Sequence, residues 1–208
     1  MTPNTVLLER FAQRSLDALS PLGPILHRAL EPSIEDARAY FKERRPDPYL
    51  FAHLIRYHAT TRILSSPLPG EVEFHSLRNS GISFTCNGCK ARVWKSDGEG
   101  ELHGPGVSQS RQNYFDQPFL DLVDPNPADV RYVVLWDCDA KTGLLTLTIA
   151  CPKRFNEDRP WDKPECHFYT VFPHAAIAVS ASPQLTNPEP LEDLELQPKQ
   201  KVSEQDHD

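Results

Sequence analysis

The sequence lacks any run of about 18 consecutive apolar residues, so it predicts no membrane-spanning helix. Its five cysteines form no dense framework, which points to a reducing, cytosolic setting. Positive charge is not in excess: 22 Lys and Arg stand against 29 Asp and Glu, a net charge of −7. Much of that imbalance is local. Residues 183–208 hold seven acidic groups against Lys199 and Lys201, a net −5, which leaves the other 182 residues near −2. Neither part is a basic footprint, so nucleic acid is not indicated as a partner. The H-E-x-x-H, G-x-x-x-x-G-K-[ST] and G-x-G-x-x-G patterns are missing, and with them the commonest metallopeptidase and nucleotide signatures. No internal repeat is present. The first residues mix acidic and basic groups among apolar ones, and read as an amphipathic helix rather than a signal peptide.

What is present centres on Arg131–Cys151, the longest apolar stretch. Two β-rich halves flank the turn cluster Asp139-Ala140-Lys141-Thr142-Gly143, the signature of a hairpin. Tyr132, Val134, Trp136 and Cys138 alternate onto one face, and Leu145, Leu147, Ile149 and Cys151 match them on the returning strand. Val133 and Leu135 make the other face apolar too, which predicts an interior position in the sheet.

Before it, Leu8, Phe11, Ala12, Leu16 and Leu19 recur at helical spacing. Ser20-Pro21-Leu22-Gly23-Pro24 breaks that helix. Ser33 followed by Asp36 predicts a capped helix to about Arg44. Asp47-Pro48 predicts a further helix to about Ser65. Asn87-Gly88 is the preferred type I′ pair and predicts a hairpin. It sets Cys86, Phe84 and Ile82 opposite Cys89, Ala91 and Val93, with Ser83, Thr85, Lys90 and Arg92 on the other face. Ser108 is expected to cap a short helix, and Cys166–Phe172 reads as the last strand. The fold class is therefore α+β: an N-terminal helical region packed on an antiparallel sheet of about five strands, in the order ββαβββ with one short inserted helix. Residues 1–66 form the helical region, 71–180 the sheet domain, and 183–208 an acidic, proline-rich tail of disordered composition.

Each candidate for chemistry stands beside a plainer reading. Lys95, Ser108 and Arg111 are the best polar cluster, since a helix start beside glycines can hold an anion through free amide donors. An ordinary loop and N-cap explains them as well. Asp137 is the accompanying acid. With Asp139 and Lys141 it superficially resembles the carboxylate end of a nuclease site, but two of the three lie in the predicted turn. Cys86 and Cys89, with Cys151, Cys166 and His167, have the residue types of a zinc site, yet no second Cys-x-x-Cys exists and buried small hydrophobes is the simpler account. The turn at Arg44–Asp47 has helix-turn-helix length. The recognition position would carry Tyr49, Leu50 and Phe51, which belong in a core, so DNA binding is not expected.

Asn87-Gly88, Val93, Lys95, Pro105-Gly106-x-Ser108-x-x-Arg111, Gln117, Val134-Leu135-Trp136-Asp137-x-Asp139 and Cys151-Pro152-Lys153 resemble a group of bacterial proteins without an established activity. The resemblance extends back to Pro48-Tyr49-Leu50-Phe51 and Leu54-Ile55-Arg56-Tyr57, and covers much of residues 33–173. The group is associated with genes beside phage-repressor-like regulators and their metallopeptidase partners. Its members do not flank the Asn-Gly turn with cysteines, which weakens the zinc reading. The resemblance implies a bacterial cytosolic protein in a mobile-element, defence or stress-regulation setting, and transfers no catalytic residue. The expectation is a non-enzymatic interaction or regulatory protein, accessory or antitoxin-like, with a protein partner and no cofactor. The alternatives are an enzyme acting on a phosphate-bearing substrate and a small zinc-stabilised binding protein.

Overall fold

A computed structural model describes residues 3–45, 47–77, 81–117, 125–139 and 143–172. The expected acidic tail and the turn residues 140–142 lie outside them. Residues 1–176 form one unit. Three helices come first: α1 (Pro3–Leu19), α2 (Leu22–Phe41) and α3 (Pro48–Leu64). The strands are β1 (Val72–Leu77), β2 (Gly81–Cys86), β3 (Cys89–Lys95), β4 (Arg131–Cys138), β5 (Leu145–Arg154) and β6 (Glu165–Val171), with α4 (Gln109–Phe115) between β3 and β4. The fold is α+β.

The sheet runs in chain order, β1 to β6. Every neighbouring pair is antiparallel except β3·β4, which is parallel. The expected antiparallel sheet of about five strands is borne out, with six strands and one parallel pair. β1 is the additional strand. Its sequence, VEFHSL, offers only Val72, Phe74 and Leu77 as apolar markers, the weak pattern of an edge strand with one wet face. The parallel pair follows from the long connection after Lys95. A short hairpin cannot join parallel strands, whereas a crossover carrying α4 can.

The alternation read from the two hairpins holds. Phe84, Cys86, Cys89, Ala91, Val93, Tyr132, Val134, Trp136, Leu147, Ile149 and Cys151 form one buried face with α1–α3. Val133, Leu135 and Ala150 form the other, with Leu102, Tyr114 and Phe115. The tryptophan-bearing strand β4 is interior. At the hairpin tip Asn87 and Gly88 take φ of 48° and 79°, the positive values a type I′ turn requires.

The helices depart from expectation at two points. Ser33 does not start a helix: α2 already begins at Leu22 and runs through Pro32. Pro24 falls in the first turn, where its missing N–H costs nothing. Ser33 is buried inside the helix and its Oγ donates to the Ala29 carbonyl at 2.6 Å. The second departure is on α3. Asp47 caps it as expected, accepting from the amides of Tyr49 and Leu50. Tyr49 and Leu50, assigned above to a core, are instead exposed, Tyr49 at 88%. The helix reaches the core through Ile55, Ala59 and Ile63 one face round. Exposed as they are, Tyr49 and Leu50 give no ground from burial against DNA binding.

Among the described residues no helix is long and apolar enough to cross a membrane.

Candidate functional site

Alternation along the strands places His75 of β1, Ser83 and Thr85 of β2, Lys90 and Arg92 of β3, and Arg131 of β4 on the face turned away from α1–α3. The register makes them neighbours. His75 pairs with Ser83, Ser83 with Arg92, Thr85 with Lys90, and Lys90 with Arg131. Helix α4 covers only part of this face. Its Tyr114 and Phe115 are buried in the second core, and among the described residues the surface of β1, β2 and the start of β3 lies open beside it. The result is a groove of about 720 Å³, floored by the sheet and walled by Ser110, Asn113 and Tyr114 of α4.

Cations gather along the α4 side of that groove. The Arg92 guanidinium lies over the Tyr114 ring at 4.2 Å, and that of Arg131 lies 6.0 Å from the same ring. Arg111, just outside the groove lining, lies over Trp94 at 5.2 Å. These aromatic faces attract and orient the guanidinium groups without neutralising them. Carbonyls help: Ser110 O accepts from Arg92, and Asn113 O from Arg131. Tyr114 is itself fixed, its hydroxyl donating to Tyr132 O at 2.7 Å. Among the described residues, Lys90, Arg92, Arg111 and Arg131 form no ion pair with a carboxylate. Burial and the charges of Arg131 and Arg111 hold the Arg92 pKa below its ordinary value, against an opposing pull from Tyr114. Like charges crowded into one place favour an anion that relieves them. Among the described residues of β1–β3 the one acidic side chain on this face is Glu73, which lies 3.8 Å from His75 on the edge strand.

The residues nominated from sequence separate into two places. Lys95 and Asp137 line a second cleft of about 700 Å³ at the carboxyl ends of β3 and β4, with Arg38, Phe51, Asp97 and Trp136. Parallel pairing produces this, setting Lys95 beside Trp136. Two of that cleft's charged groups are already engaged. Arg38 donates to Asp139 O and to Cys138 Sγ. Asp97 takes the amides of Glu99 and Glu101 and the Lys163 ammonium. Burial alone would raise the Asp97 pKa, but those donors outweigh it and hold it at about 2. Ser108 and Arg111 belong to α4, on the other side of the sheet from Lys95. Ser108 is exposed and its hydroxyl makes no capping bond, contrary to expectation. The trio Lys95, Ser108 and Arg111 therefore does not form one site.

The cysteines are not arranged for a metal. Cys86 and Cys89 face each other across the hairpin, buried on the α1–α3 side, with Cys86 Sγ donating to Ala18 O. Cys151 is buried on that same side, and Cys166 packs into the opposite core. Burial first, with the neighbouring thiol adding to it, raises Cys86 to about 11, and burial raises Cys166 to about 11. Among the described residues the one cluster of metal-type ligands is Asp97, Glu99 and Glu101. The Lys163 ammonium contacts all three, at 2.8, 2.6 and 2.6 Å.

Sequence reasoning missed Arg131 and Tyr114 as site residues, and read Lys90 and Arg92 only as a polar face. Their alternation was visible. Their meeting with Arg131 depends on the parallel β3·β4 register, which no local pattern announces. Comparison with protein-family models, with curated proteins and with solved structures finds no match for this chain.

Proposed function

We propose that this chain is a non-enzymatic binding protein that recognises an anionic, phosphate-bearing partner on the open face of β1–β3. The observation that carries the reading is the gathering of Lys90, Arg92, Arg111 and Arg131 without a counter-carboxylate among the described residues. Stacked arginines are preorganised forks, and a fork matches phosphate geometry in a way an exposed lysine alone does not. The expected accessory or regulatory role in a bacterial cassette fits a protein that binds rather than transforms.

The test is calorimetric titration of the full chain with inorganic polyphosphate at low and high salt. Binding is expected, weakening steeply with salt, and Arg92→Glu or Arg131→Glu should reduce it at least tenfold. Arg154→Ala, an exposed arginine already paired with Glu165, should leave it unchanged. Absence of binding, or binding indifferent to both groove variants, overturns the reading.

A second reading, an enzyme acting on a phosphate-bearing substrate, is favoured by one observation: Lys95 and Asp137 share a cleft. Hydrolysis of a generic phosphomonoester or phosphodiester that disappears in both Lys95→Ala and Asp137→Asn would select it.

A further inference from the structure

Resting on the anion-binding reading above, we infer that the partner is a single strand of nucleic acid lying across β1–β3, its phosphates toward Lys90, Arg92 and Arg131 and its bases toward His75, Ser83 and Thr85. Three features of the groove lead there.

The first is repetition. Lys90 and Arg92 are two residues apart on one strand, hence about 6.5 Å apart along it, and Arg131 adjoins Lys90 on the next strand. Arg111 continues the cationic stretch beyond Arg92, close enough for its charge to act on that guanidinium. A ligand with one anionic group satisfies one of these cations. A chain of phosphodiesters satisfies several in succession, at a spacing close to that of an extended strand.

The second is the gradient across the groove. Cations occupy the α4 side. Hydrogen-bonding side chains occupy the β1–β2 side, where His75 Nε2 and Thr85 Oγ1 lie 3.0 Å apart and Ser83, whose Oγ donates to Ala91 O, adjoins them. Glu73 at the edge repels phosphate from that side. A nucleotide has the same polarity, with charge on its backbone and neutral hydrogen-bonding edges on its base. The floor also carries Leu77, apolar surface on which a base can lie. An acidic peptide uses the cations and leaves His75, Ser83, Thr85 and that surface unmatched.

The third is shape. The site is a shallow, open groove, and α4, seven residues long, is packed down onto the sheet rather than projecting. Duplexes are read by elements that enter a groove of the nucleic acid. A sheet face that receives the ligand suits an unpaired strand, whose bases are free to turn toward protein side chains or stack on arginine planes. Arg92, backed by Tyr114, offers such a plane.

The experiment is fluorescence anisotropy of labelled ten-nucleotide single strands, RNA and DNA in separate arms. The competitors are the same sequence as a duplex, inorganic polyphosphate and poly-glutamate. The single strand should bind more tightly than the duplex, and poly-glutamate should compete poorly. With three or four phosphates engaged, log affinity should fall with log salt at a slope of about −2 to −3. Lys90→Ala and Arg111→Ala remove exposed side chains and leave the core intact. Each should reduce that slope by about 0.7. His75→Ala with Thr85→Ala should weaken oligonucleotide binding several-fold while sparing polyphosphate. Polyphosphate binding without oligonucleotide binding, equal competition by poly-glutamate, or preference for the duplex overturns the inference and leaves the anion-binding reading standing. Silence toward every polyanion removes both.

Discussion

At the scale of single residues, burial here decides which groups titrate. His167 on β6 is half-buried, and desolvation, aided by the Lys153 charge and opposed by Glu165, lowers its pKa to about 4. An unfolded chain takes up that proton near pH 6.5. The folded-state value is the lower one, so the contribution to stability is present above about pH 6.5 and declines as pH falls toward 4. Urea midpoints measured from pH 7.5 to 4 should fall over that window, and the fall should be shallower in His167→Gln. Equal slopes in the two proteins would remove His167 from the account. The thiols obey the same logic. Raised pKa values keep Cys86 and Cys166 protonated near neutrality, as expected of small apolar side chains rather than nucleophiles.

At the scale of elements, one amide side chain behaves as a piece of strand. Gln117 Oε1 accepts from Arg131 N at 2.6 Å, while its Nε2 donates to Arg131 O and to Pro152 O at 2.9 and 3.0 Å. It thereby joins the segment after α4 to the start of β4 and to β5. Gln117→Ala would remove all three bonds from these backbone groups, at a cost of about 1–3 kcal/mol. A urea unfolding curve checks the stability, and the same variant should weaken polyphosphate binding because it frees the backbone carrying Arg131. Elements with a strong local cause were legible in the sequence: the Asn87-Gly88 hairpin, the Asp47-Pro48 helix start, and the two faces of the Trp136 strand. Those that failed had no such cause. β1 has one wet face and few apolar residues, and Ser33 looks like a cap only until tertiary packing carries α2 through Pro32. Tyr49 and Leu50 look like core residues, yet the turn of α3 that carries them extends past the surface it covers.

At the scale of the whole molecule, the sheet separates two environments. On one side α1–α3 enclose the larger core, together with Trp136 and Tyr132. On the other, α4 and the Leu102 loop cover β4, β5 and the end of β3, and among the described residues leave β1, β2 and the start of β3 open. The open groove is the consequence of a short helix on a wide sheet. Its cations were individually visible, yet an acidic overall composition concealed them, because net charge says nothing about where charges meet. The candidate site was therefore less legible than the fold: Lys95 and Asp137 do share a cleft, while the groove depends on Lys90 meeting Arg131, 41 positions further along the chain.

The parallel seam between β3 and β4 has its own consequence. Strands β1–β3 and β4–β6 are each built from antiparallel neighbours, and the two blocks meet through β3·β4 and the flanking helices. The covalent link between them mainly raises their local concentration. Expressed as two polypeptides divided at Gly98, an exposed loop position, the halves should each remain incompletely folded and recover native circular dichroism when mixed. Failure of the mixed halves to complement would mean that the crossover is needed to assemble the sheet.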